Sequence, residues 1–274
     1  MQFHLAHGVP ALADYRRLLA TADFAAMAAF SDHFLQQSHH ALQYYRLRWG
    51  VDPLRTWSRQ WEYPYVFQQV MAAAKGEQPL QVLDAGSGVT FLPRLLRTML
   101  ANAQVHCCDS DPHLESVYQK LNEQTTTQVN FKVADMRKLP YAAESMDVIY
   151  CISVLEHTRE YPIIVQEFKR VLRPGGRLIV TFDVSLDGLH DISVPDGQRL
   201  LDDLVRAFPT TSEYRLASEL QGPVLTTVEA AGINPQLLPW RYPWLSWLKT
   251  CWRKKRLVSW PPRLSVYCLT LYKS

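Results

Sequence analysis

A pair of glycines followed by a distant carboxylate is where the residue types and spacing of this chain first suggest chemistry. In Val82-Leu83-Asp84-Ala85-Gly86-Ser87-Gly88-Val89-Thr90 an apolar run ends in a carboxylate and a Gly-x-Gly turn. The glycines tolerate positive φ and let the backbone come close to a ligand. A helix predicted over 91–100 aims its first N–H groups at whatever rests on the turn. The pattern reads as a nucleotide-binding loop. A second strand predicted over 104–108 ends in Asp109, about twenty residues beyond the glycines, where a doubly wound sheet places the carboxylate that grips a ribose. A dinucleotide fingerprint wants a small residue three positions after the second glycine, and Phe91 stands there instead, which argues against NAD.

Candidates for proton transfer lie further along. His157 leaves a predicted fourth strand at the rim of the same site, and an imidazole titrates near neutrality, so it is the first candidate for a general base; its alternative role is to shape the loop. Asp183 at the end of a predicted fifth strand, and His190 with Asp191 in the loop after it, are further candidates, with surface or turn positions as their alternative. Upstream, in Arg59-Gln60-Trp61-Glu62-Tyr63-Pro64-Tyr65, the rings of Trp61, Tyr63 and Tyr65 could exclude water from an acceptor pocket. Arg59 and Glu62 could orient a polar or sugar-like acceptor. Aromatics beside Pro64 also read as a hinge packed on the core.

The order of these segments resembles the class I S-adenosylmethionine-dependent methyltransferases from Gln81 to about Val184. Beyond the loop and Asp109, the resemblance rests on Val133-Ala134-Asp135-Met136, on Ser145-Met146-Asp147-Val148-Ile149-Tyr150-Cys151-Ile152-Ser153-Val154-Leu155-Glu156-His157, and on Phe168-Lys169-Arg170-Val171-Leu172-Arg173-Pro174-Gly175-Gly176-Arg177-Leu178-Ile179-Val180. Thr90 departs from it, where many members carry a third glycine. The resemblance implies S-adenosyl-L-methionine as cofactor. Its methionine end is expected on the loop, its ribose hydroxyls on Asp109 with Asp111 as the alternative, and its adenine amino group on Asp135, with Met136 packed on the ring. The residues assigned to the cofactor on this ground are Asp84, Gly86, Ser87, Gly88, Asp109, Ser110, Asp135, Met136 and Ser153. Methyl transfer to a small or medium-sized acceptor at oxygen, and next at nitrogen, is the implied activity. An aminopropyl transferase or a non-catalytic binding relative on the same fold is the rival.

These residues need a frame. The expected fold is a Rossmann-like α/β sheet of seven strands, doubly wound, with an antiparallel last strand formed by 265–272. Residues 1–76 read as a helical N-terminal cap, and 77–274 as the methyltransferase domain. A helix at Thr226-Thr227-Val228-Glu229-Ala230-Ala231-Gly232-Ile233 is expected to precede a sixth strand, followed by an insertion over about 236–263. With 274 residues, 47% of them hydrophobic, the chain can bury one large core and an accessory lobe. It has no apolar run of about eighteen residues and no leader-like start, which points to the cytoplasm. Five cysteines without Cys-x-x-Cys spacing argue against a disulfide framework and a structural zinc site. No metal is expected.

Charge is unevenly spread. Residues 230–274 contain no acid and eight bases, so a net charge of +3 conceals a tail of +8 on a remainder of −5. The tail also holds Trp240, Trp244, Trp247, Trp252 and Trp260. Tryptophans among Lys and Arg suit an interfacial element on an anionic membrane, contacting it through about 240–260, or a pocket for an anionic acceptor. A solvated helix packed on the core is the plainer reading. Confinement of the charge to one segment argues against nucleic acid.

Overall fold

The computed structural model describes residues 1–43, 45, 53–74, 78–190, 192–238, 240, 243–255 and 257–274. Its sheet is built from β1 (Gln81–Ala85), β2 (Gln104–Asp109), β3 (Asn130–Val133), β4 (Met146–Ile152), β5 (Leu172–Ser185), β6 (Ile192–Ser193) and β7 (Leu264–Tyr272). The order is β3-β2-β1-β4-β5, all parallel, with β7 antiparallel against β5 from Arg177↔Tyr272 to Ser185↔Leu264. This is the α/β Rossmann-like sheet with an antiparallel last strand expected from the sequence.

Because side chains alternate along a strand, each buried strand feeds two cores. Val82, Val105 and Val148 enter one, while Leu83, Ile149 and Leu178 enter the other. The first core is closed by the N-terminal helices α1 (Leu12–Leu19), α2 (Ala22–Gln37) and α3 (Arg59–Met71), through Tyr15, Met27, Trp61 and Phe67. The second is closed by α6 (Tyr161–Val171) and α7 (Val194–Ala207), through Phe168 and Leu204. Between β1 and β3 lie α4 (Leu92–Met99) and α5 (His113–Glu123). Helix starts follow local chemistry: Thr21 accepts the Phe24 N–H at the head of α2, and Pro93 opens α4 where no intrahelical N–H is needed.

The expected sixth strand is not formed. Two short helices, α8 (Leu216–Glu219) and α9 (Thr227–Ile233), lead into a 3₁₀ turn, Pro235–Leu237, and among the described residues no strand follows before β7. Asn234 accepts the Gln236 N–H and so closes this turn, and Pro235 has no N–H to give to a ladder. The outer edge of β7 is met from the other end of the chain, where Gly8 and Cys268 exchange backbone hydrogen bonds of 2.7 and 3.1 Å. The two-residue β6 pairs with the end of β5 and lies before α7, so the basic segment is separated from it by α7, α8 and α9 and leads directly into β7.

That segment forms α10 (Pro243–Lys254). Trp247 Nε1 donates to the Val258 carbonyl and Arg253 to the Leu189 carbonyl, both at 2.9 Å, while the rings of Trp240 and Trp260 pack 4.8 Å apart. Among the described residues no helix is long and apolar enough to cross a membrane. Cys107 and Cys108 are buried in β2, and burial pushes the Cys108 thiol up to about 12.

Candidate active site

The carboxyl ends of β1, β2 and β4 open into a cavity of about 1300 Å³. A switch point of this kind is where open α/β sheets take their ligands. The β1–α4 loop contributes Gly86, Ser87, Gly88 and Thr90, and Asp84 lies at its base. Both glycines have positive φ, +76° and +47°. A Cβ on Gly86 would stand 2.8 Å from Val154, and one on Gly88 would stand 2.6 Å from the Tyr45 hydroxyl. Side chains on the protein side therefore already exclude anything larger. Burial holds the Asp84 carboxyl above the ordinary carboxylate range.

Asp109 is aimed by the loop it faces. Its Oδ2 accepts the Gly88 N–H and its Oδ1 the Asp111 N–H, each at 3.0 Å. One lone pair on each oxygen stays available on the cavity side. Ser110, Asp111, Asp135, Met136 and Arg137 continue the wall. Asp135 is half exposed and chelated by Arg137, whose bonds to it hold its carboxyl below the ordinary range; Arg137 also reaches Glu160 at 2.7 Å. All nine residues assigned to the cofactor from sequence line this one cavity.

Ser153 joins the sheet to the N-terminal helices. It sits just past β4 at φ +48°, a conformation that costs a non-glycine residue about 1–3 kcal/mol. Its N–H donates to the Thr181 carbonyl at 2.9 Å, and its hydroxyl donates to Glu62 Oε1 at 2.7 Å while accepting from Arg59 Nη1 at 2.5 Å. Glu62 is fully buried, paired with Arg59 on one oxygen and with Ser153 and Thr181 on the other. Burial alone would disfavour the Arg59 charge, and Glu62 more than restores it.

The 59–65 segment is α3, so its residues do not all face the cavity, and part of it packs on the core. Arg59 and Tyr63, four apart, share the face that lines the cavity. Trp61, Glu62 and Tyr65 do not line it. Trp61 is buried in the core, Glu62 is committed to its pair, and the Tyr65 hydroxyl bonds Thr270 on β7 at 2.9 Å. Tyr63 meets Phe91 edge to face, with ring centroids 5.4 Å apart.

Of the proton-transfer candidates among the described residues, His157 alone lines the cavity; it is exposed, on the 3₁₀ turn Leu155–His157. Asp183 is not among the residues lining the cavity, and its N–H donates to Glu156 Oε1 at 3.0 Å. His190 packs against Trp240 at 5.8 Å and faces Thr250 of α10, because the loop after β5 turns toward the basic segment. Asp191 lies outside the described residues. Glu156 is buried, and burial first, then the neighbouring Glu62, pushes its carboxyl up to about 8; its Oε2 has no hydrogen-bond partner among the described residues.

The structure also brings in residues that sequence reasoning did not select. Tyr45 lies over Gly88, and the Arg55–Asp32 ion pair of 2.8 Å lines the cavity together with Thr56, Gln236 and Leu238. Their types are ordinary for helices and loops and their spacing follows no motif. Only the fold brings them together.

Similarity to known proteins centres on the same elements. A family model described as a methyltransferase domain matches residues 83–180. Methyltransferase GfsG of Streptomyces halstedii is 31% identical over 192 residues, which cover 68% of this chain and 62% of that protein. A ubiquinone biosynthesis O-methyltransferase of Xanthomonas oryzae is 32% identical over 37% of the chain and 42% of its own length, and human thiol S-methyltransferase TMT1B is 36% identical over 41% and 46%. The chain thus spans less than two thirds of each of these relatives. A putative sarcosine dimethylglycine methyltransferase from Galdieria sulphuraria shares the fold with a TM-score of 0.54 at 15% identity, over 85% of this chain and 98% of that one. On the sequence matches and the shared fold together, this chain belongs to the class I S-adenosylmethionine-dependent methyltransferase family.

Proposed function

We propose that the protein transfers a methyl group from S-adenosylmethionine to a hydroxyl oxygen of a small or medium-sized polar acceptor, with nitrogen as the next choice of atom. The observation that carries this reading is that His157, Arg59 and Tyr63 line one cavity with the glycine loop and Asp109. A volume of about 1300 Å³ exceeds the roughly 300–1,000 Å³ of a site for a single small ligand, so cofactor and acceptor fit together. The donor set suits the cofactor. Asp109 has acceptor capacity for two ribose hydroxyls, Asp135 can take an adenine amino group, and the narrow turn at Gly86 and Gly88 can hold the methionine end.

When bound, the cofactor supplies an activated methyl on a sulfonium. The chain's own task is alignment, exclusion of water and removal of one proton. Tyr63 walls the pocket, and Arg59, held charged by Glu62, turns a polar acceptor toward the loop. His157 accepts the hydroxyl proton as the oxygen attacks, and its exposure lets that proton pass to solvent. The ion pair of Arg55 and Asp32 on the rim offers donors and acceptors to an anionic or sugar-like group. Oxygen is favoured by the O-methyltransferase among the relatives.

The test is His157→Ala with a panel of hydroxyl, amine and thiol acceptors. Turnover should fall by about 10²–10⁴-fold while cofactor affinity stays intact. A fall below about threefold removes His157 as the base. Cofactor binding with no turnover on any acceptor would leave a binding protein on a methyltransferase fold.

A further inference from the structure

Helix α10 is turned the wrong way for a helix in water. Its inner side is fixed: Thr250 is buried, and Trp247 is tied to Val258. Its outer side carries Trp244, Leu248 and Trp252, spaced four apart so that they stack along one face, with Leu245 beside them. Trp244 is 62% exposed and Trp252 85%, and Leu257 continues the apolar stripe past the helix end at 81%. A surface helix ordinarily shows polar residues there. Lys249, Arg253 and Lys255 are exposed along the flank of the stripe and beyond the helix end, and no acid occurs in residues 230–274.

We infer that α10 docks in the interface of an anionic lipid bilayer, with the Trp244–Leu248–Trp252 face in the acyl boundary and Lys249 and Lys255 at the headgroups. Tryptophan suits that depth because its ring is apolar and its N–H is polar, and the basic flank complements anionic lipid. Charge argues against a second copy as the occupant. A two-fold interface through this face would set one +8 tail against another. The docked helix follows directly on the cavity wall, since Gln236 and Leu238 line the cavity and α10 begins at Pro243. Docking therefore holds the acceptor side of the site near the lipid surface.

Co-sedimentation of the whole protein with vesicles tests this. Vesicles containing phosphatidylglycerol should carry the protein down and shift its tryptophan emission to the blue, and vesicles of phosphatidylcholine alone should not. Raising salt to about 1 M, where the Debye length is about 3 Å, should release it. Lys249→Gln with Lys255→Gln should weaken partitioning about 25-fold, roughly fivefold for each charge removed. Trp244→Ala with Trp252→Ala should abolish it. Both double variants should keep wild-type S-adenosylmethionine affinity by calorimetry, which shows them folded. The inference is overturned if the wild-type protein ignores both vesicle types, or if the tryptophan variant still sediments. It is equally overturned if lipid-free protein associates with itself through this face, or if a single-stranded oligonucleotide displaces the vesicles.

Discussion

Asp109 is already spoken for by two backbone N–H groups, so its carboxylate is set in place before any ligand arrives. Asp109→Ala should weaken cofactor binding about ten- to a hundredfold by calorimetry, through loss of charge-assisted bonds worth about 1.5–3 kcal/mol. Unchanged affinity in a folded variant would transfer the ribose to Asp111. Glu156 makes a different prediction. The folded protein keeps its proton up to about pH 8, whereas the free side chain releases it near 4.5. Between those values the native state binds more protons, so stability falls as pH rises, by about 1.4 kcal/mol per unit. Urea denaturation from pH 5 to 8 should show this slope, and Glu156→Gln should flatten it. Residues in the glycine loop and at the strand ends were legible in the sequence because backbone geometry dictates their types. Tyr45 and Glu156 were not, since their roles arise from what the fold packs against them.

Among the elements, α3 supplies Arg59 and Tyr63 to the part of the cavity wall that we propose faces the acceptor. The aromatic residues at 61, 63 and 65 look like a period-two wall in sequence, and helical geometry separates them instead. Arg59 and Tyr63 face the cavity, and Glu62 faces Ser153 and Thr181. Removing Glu62 leaves Arg59 without its countercharge in a buried setting. Glu62→Ala should therefore cost about 3–5 kcal/mol in denaturant unfolding, and Glu62→Gln less, because the amide can still meet Ser153 and Thr181. The missing sixth strand has a similar lesson. The helix at Thr227–Ile233 was readable from its pattern. Its sequel depended on Pro235 and the Asn234 cap, and on Gly8 arriving at β7 from more than two hundred residues away. Local pattern carries no record of such a contact.

At the scale of the whole molecule, the division expected near residue 76 runs through a shared core. Tyr15, Trp57 and Phe67 pack in the same cluster as Val82 and Val105. Near-ultraviolet and far-ultraviolet circular dichroism should accordingly report one coincident thermal transition, and two separated transitions would restore an independent N-terminal unit. The split of charge into +8 and −5 was legible from composition, while the direction in which α10 presents its tryptophans was not. The shared hydroxyl of Ser153 has one more consequence. Its bonds to Arg59 and Glu62 make the α3 side of the cavity wall and the fourth-strand exit a single mechanical part. Chimeras that graft a foreign N-terminal segment onto this sheet to change acceptor preference should keep cofactor binding only when the donor segment brings its own arginine–glutamate pair at these positions. On the proposed reading, any preference for an acceptor is inherited with this hinge pin rather than with a loose loop.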